Sequence, residues 1–182
     1  MKVCWDGDRV VYPVDNFNQV APTCPNPVEI DWGEGSLPIR INSEIPDPAI
    51  ELAMMVWNET VGFELFVPGK IGWDMIITLA PSPGEKESGA VALAGTVHFK
   101  DHGHLGAIIF AYETMGELDG YQRIQVYVHE LGHVLGLGHD VNDVHSLMYP
   151  APPLGDIGSL TQLDIEAVKK KYGRTSKKVS KN

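Results

Sequence analysis

The chain has no apolar run long enough to cross a bilayer. The longest, Leu105 to Tyr112, contains a glycine and falls far short of the ~20 residues that a spanning helix needs. A signal peptide is not expected within it either, because Asp6 interrupts the stretch that would have to stay apolar. Cysteine is scarce: Cys4 and Cys24 exclude a disulfide-dense scaffold and leave open either one bridge or two free thiols. Basic residues are few, 14 against 24 acidic, and seven of them crowd into the last 14 positions, so residues 1–168 form a strongly acidic body. Such a body repels phosphate, and nucleic acid is not expected as a partner. The 19 glycines and 13 prolines follow no period, which excludes collagen-like and low-complexity classes. What is present, 182 residues at 43% hydrophobic, is enough for one domain with a buried core.

Residues 1–35 read as an N-terminal extension. Asp6-Gly7 between Val3-Cys4-Trp5 and Val10-Val11-Tyr12 signals a hairpin, and a proline-rich stretch through Pro22, Pro25 and Pro27 follows. From residue 36 to 173 the pattern is that of a single α+β domain. Leu37, Ile39 and Ile41 alternate as in a half-buried strand. Asp47-Pro48 then opens a helix whose stripe of Ile50, Ala53, Met54 and Trp57 runs to Gly62 and packs into the core. Strand-like runs follow at Phe63–Val67, Asp74–Leu79, Ala90–Phe99 and Leu105–Tyr112. A second helix, marked by Ile124, Val128, Leu131 and Leu135, stops at Gly136. A last helix opens at Thr161, with Asp164 completing a capping-box-like pair, and stops at Gly173. Residues 174–182 form a basic tail that reads as a solvated end, with tethering to an acidic partner as the alternative.

The second helix carries the chemistry, in the run from His129 to His139. Residues four apart share a helix face, so His129 and His133 can aim two imidazoles at one ion. A third ligand, His139, requires the chain to leave the helix and double back, and Gly136 makes that turn without a Cβ penalty. Three nitrogen ligands leave a fourth position for water, the mark of a catalytic rather than a structural zinc site. Imidazole also suits copper, nickel and iron, so ligand type alone does not settle the metal. Glu130 stands to one side of the ion, placed to act on the water as general base.

With Ser146-Leu147-Met148-Tyr149-Pro150 downstream, the sequence resembles the metzincin zinc peptidases, and within them the matrixins. Met148 is similar to the methionine of the Met-turn, and the run from Thr161 to Gly173 resembles the matrixin C-terminal helix. The resemblance implies a metzincin-like zincin fold: a twisted, mixed five-stranded sheet with a backing helix, an active-site helix and a C-terminal helix. It implies a zinc endopeptidase acting on protein or peptide substrates in an extracellular or secreted setting, with one catalytic Zn2+ held by His129, His133 and His139. The strand around Ala90 to Thr96 would be the edge on which an extended peptide pairs. Gln125, Val126, Tyr149 and Pro150 would line the pocket for the side chain after the scissile bond.

The sequence departs from the family in several places. A structural Ca2+ or second Zn2+ is not supported, because His98, His102 and His104 lack the intervening acidic ligands and read as loop histidines, as does His145. The inhibitory pro-segment motif is not recognisable, although Cys4 could serve as a zinc-blocking thiolate. Leu163 replaces the first of two acidic residues that open the matrixin last helix, and Asp140 after the third histidine is more like other metzincins. The alternative function is a latent metzincin domain used as a binding or structural module in a larger assembly, reached through the N-terminal extension or the basic tail.

Overall fold

The computed structural model describes residues 2–5, 10–13, 27–29, 32, 37–69, 74–80, 92–99, 104–150 and 158–173. Near the N-terminus, β1 (Lys2–Trp5) pairs antiparallel with β2 (Val10–Pro13), as the Asp6-Gly7 signal suggests, and also with β3 (Pro27–Glu29). β3 begins at the end of the proline-rich stretch, where the sequence analysis placed no strand. Its partner strand supplies the ladder, and local propensity does not report a partner distant in sequence. β2 lies alongside β7 of the larger sheet.

The larger sheet is built from β4 (Ile39–Ser43), β5 (Phe66–Pro68), β6 (Met75–Ala80), β7 (Ala92–Phe99) and β8 (His104–Tyr112), in the order β5-β4-β6-β8-β7. β4 runs parallel to β5 and β6, and β6 parallel to β8. β7 is the antiparallel edge, in a hairpin with β8 that sets Ala94 opposite Ile109. Alternation decides which face is dry: Ile39, Ile41, Met75, Ile77 and Ile109 are buried, each contributing about 1.5–3 kcal/mol of transfer free energy.

Helix α1 (Pro48–Val61) starts where the sequence placed it, with the Asp47 side chain accepting from Ala49 N–H at 3.0 Å, and Gly62 closes it. Its Asn58 side chain stitches helix to sheet by accepting from Leu65 and Phe66 N–H and donating to Phe66 C=O. Helix α2 (Gly120–Val134) opens on a capping box between Asp119 and Gln122, and α3 (Gln162–Tyr172) on one between Thr161 and Asp164. α1 packs on α2, where the Trp57 indole donates to Val128 C=O at 2.9 Å. A second link joins Asp47 to Arg123 at 3.0 Å, tying the start of α1 to the first turns of α2.

Trp32, which falls in the 1–35 extension by sequence, is 7% exposed and joins the main core. No helix among the described residues is long and apolar enough to cross a membrane. Cys24, His102, the loop 151–157 and the tail 174–182 lie outside the described residues, and with them the Cys4–Cys24 pairing, a second histidine metal site and the basic tail.

Candidate metal centre

The central part of α2 is buried on nearly every side, from Gln125 to Gly132. Gly132 permits this close packing: a Cβ there would lie 2.5 Å from Met148 Sδ and 3.3 Å from Trp57 Cζ2. After Val134 the helix stops in a Schellman arrangement. Gly136 takes a φ of 94°, Leu137 N–H bonds back to Gly132 C=O, and Gly136 N–H bonds to His133 C=O. The reversed chain then brings His139 back. It is held there by Asp140 N–H donating to Met148 C=O at 2.8 Å, while Met148 N–H is anchored on the Ser146 hydroxyl.

The three histidines converge as their spacing suggests. His133 Nε2 lies 3.0 Å from His129 Nε2 and 3.1 Å from His139 Nε2. Three nitrogens at about 2.0–2.1 Å from one tetrahedral zinc would stand about 3.3 Å apart, so the cluster needs only a few tenths of an ångström of adjustment to hold the ion. The opposite ring nitrogens settle the tautomers. His129 Nδ1 faces Leu147 C=O at 2.5 Å and His133 Nδ1 faces Leu137 C=O at 2.9 Å. A carbonyl can only accept, so each Nδ1 carries the proton and each Nε2 presents a lone pair to the shared point. Burial, followed by the neighbouring His133, pushes the His129 imidazole down to about 3, so it is neutral and ready to coordinate at physiological pH. Among the described residues this is the group of side chains able to hold a metal ion.

Glu130 is buried beside the cluster. Burial pushes its carboxyl up to about 7, against the opposing effect of a hydrogen bond from the Ala94 backbone in β7. Met148 is fully buried beneath Gly132. Gln125 and Val126 are buried one turn before His129, and Tyr149 and Pro150 are half-buried after Met148. A cavity of about 310 Å³ opens between α1, α2 and residues 158–160, with Gln125 in its wall; Val126, Tyr149 and Pro150 do not line it. His145 is an exposed loop residue whose N–H bonds to Asp143. Leu163 is exposed, while Asp164 is buried and spends its carboxylate on Thr161.

The sequence reading missed Ala94 and the carbonyls of Leu137 and Leu147, since main-chain atoms leave no residue-type signal. It also missed the donors that close the end of α2. The Trp32 indole donates to Val134 C=O, and the Tyr172 hydroxyl to Leu135 C=O, both at 2.9 Å.

Comparison with known proteins bears on the same segment. The family model described as Matrixin matches residues 69–173, more than half of the chain. The chain belongs to the matrixin family. Membership, with the three-histidine cluster, indicates zinc binding. The chain is 27% identical over 175 residues to interstitial collagenase of Bos taurus, covering 85% of this chain and 35% of the relative. It is 40% identical over 102 residues to matrilysin of Rattus norvegicus, covering 54% of this chain and 31% of the relative. A third match, to metalloendoproteinase 1 of Glycine max, is 49% identical over 49 residues, 26% of this chain and 16% of the relative. The chain thus spans about a third or less of each of these relatives.

Proposed function

We propose that residues 36–173 are the catalytic domain of a zinc-dependent endopeptidase acting on protein or peptide substrates, flanked by an extension at 1–35 and a basic tail at 174–182. The supporting observation is the convergence of the three Nε2 atoms on one point, with the buried carboxyl of Glu130 next in the chain to the first of them. The strand order and the three helices support a metzincin-like zincin architecture around a twisted, five-stranded mixed sheet. The names of the matched relatives support peptide-bond hydrolysis, and the name interstitial collagenase supports an extracellular setting.

His129, His133 and His139 would hold one Zn2+, which when bound supplies Lewis acidity for the scissile carbonyl and for water. Glu130 takes a proton from the attacking water and passes it to the leaving amine. A carboxyl raised to about 7 is well matched to accept and then return a proton near neutrality. The Leu147 and Leu137 carbonyls keep the imidazoles of His129 and His133 aimed. Met148 supports the ligand helix from below through its contact at Gly132. β7, the sheet edge that reaches Glu130 through Ala94, offers main-chain groups to an extended peptide. Gln125, in the wall of the cavity between α1 and α2, would with Val126, Tyr149 and Pro150, which lie outside that cavity, border the site for the side chain after the cut bond, since they sit one turn before the first ligand and directly after Met148. The binding-module alternative draws no support from a site with its ligands and base assembled.

The test is mass-spectrometric mapping of cuts in a denatured protein mixture by the zinc-loaded chain, with Glu130→Ala alongside. Cuts made by the unaltered chain and lost in the variant are expected. Zinc-loaded protein that cuts nothing, or a variant that cuts equally, would refute the assignment.

A further inference from the structure

The reversal after α2 leaves two main-chain carbonyls unused. In a continuing α-helix, Val134 C=O would accept from Gly138 N–H and Leu135 C=O from His139 N–H, each four residues on. That continuation would keep His139 on the helix and carry it away from the point where His129 and His133 converge. The Schellman bonds use the carbonyls of Gly132 and His133, one step earlier. The next two are taken by side chains from opposite ends of the chain. Trp32 Nε1 donates to Val134 C=O across 102 residues of sequence. Tyr172 Oη donates to Leu135 C=O across 37, with Lys171 Nζ at 3.4 Å from the same oxygen. Both rings are buried, Trp32 at 7% and Tyr172 at 2% exposure, so these bonds are shielded from competing water.

We infer that Trp32 and Tyr172 are positioning residues for the third metal ligand: by capping Val134 and Leu135 they deny the helix its next two acceptors and so hold His139 at the metal. This rests on the reading that His129, His133 and His139 bind zinc. Glycine at 136 makes the turn permissible, but glycine is flexible and does not by itself select the turned conformation over a longer helix. The two external donors add to that selection, beside the Asp140–Met148 backbone bond, since each would lose its partner if the helix grew. Trp32, outside the region matched by the family model, thereby becomes part of the metal centre's support.

The test is a double-mutant cycle on zinc affinity, measured by chelator competition on the full chain. Trp32→Phe removes the indole N–H while keeping an aromatic ring, and Tyr172→Phe removes the hydroxyl. Each is made in the parent and in a His139→Ala background. Trp32→Phe is expected to weaken zinc binding about fivefold in the parent, the size of one net hydrogen bond, and to have no effect once His139 is gone. Tyr172→Phe should follow the same pattern with a smaller loss, because Lys171 remains near the oxygen, and it decides the matter if Trp32→Phe does not fold. Unchanged affinity in the parent, or equal losses with and without His139, would overturn the inference while leaving the zinc site intact. A parent chain that binds no zinc would overturn the site reading and the inference together.

Discussion

Replacing Glu130 by glutamine perturbs one buried charge and little else, and its consequence for stability can be worked from the structure. Burial raises the Glu130 carboxyl from 4.5 to about 7, with the Ala94 backbone hydrogen bond acting the other way. Between those two values the folded chain holds a proton that the unfolded chain has released. The free energy of unfolding therefore falls as pH rises through the window, and the penalty is fully present above the folded-state value. It amounts to about 3 kcal/mol, a large share of the stability of a typical domain. Glutamine keeps the shape and an acceptor for the Ala94 N–H, and has no charge to desolvate. Urea denaturation of the zinc-free proteins should find the two equally stable near pH 4, and Glu130→Gln ahead by about 3 kcal/mol near pH 8. His129, lowered to about 3 chiefly by burial, titrates in both proteins and cancels in the difference. Zinc should narrow the gap, because a divalent cation beside the carboxylate favours its charged form. A difference that does not vary with pH, or a parent more stable than the variant near pH 8, would refute the reasoning.

Gly132→Ala sets a helix-propensity gain of ~1 kcal/mol against an overpacking cost of about 1–3 kcal/mol. Met148 is fully buried and cannot swing into solvent to relieve a 2.5 Å approach. The cost should therefore win, seen as a lower urea midpoint and weaker zinc binding; a stabilised variant would contradict the packing argument. Gly136→Ala places a Cβ at a φ of 94° and should cost about 1–2 kcal/mol, with zinc affinity falling as His139 is displaced, read by chelator competition. Asp47→Ala removes the cap on Ala49 N–H, the partner of Arg123 and the hydrogen-bond partner of the buried Tyr127, and should lower stability by about 1–2 kcal/mol in thermal or urea unfolding. Asp47→Asn, which can still cap, should lose less, and a loss as large as that of alanine would assign the effect to the ion pair.

Local signals made much of the fold legible. Asp47-Pro48 and Gly62 bracketed α1, Thr161 with Asp164 opened α3, and the alternation at Ile39 and Ile41 marked β4, because caps and periodicity act within a few residues of chain. β3 and the place of Trp32 were not legible. Each depends on a partner far along the chain: β1 for the former, and Val134 for the latter.

The same division runs through the metal centre. The sequence by itself determined the three histidines, the adjacent glutamate and the glycine that lets the chain turn back, since helical spacing alone sets His129 and His133 on one face. Only the tertiary structure decided which ring nitrogen each of these two presents, because the Leu147 and Leu137 carbonyls that fix the tautomers are backbone groups placed by the turns around them. It likewise decided that Glu130 is buried against β7, and that the end of α2 is closed by side chains from residues 32 and 172. Ligand identity is a property of residue type and spacing. Proton affinity and ligand aim depend on desolvation and on hydrogen-bond partners, and these exist only once distant segments have packed together.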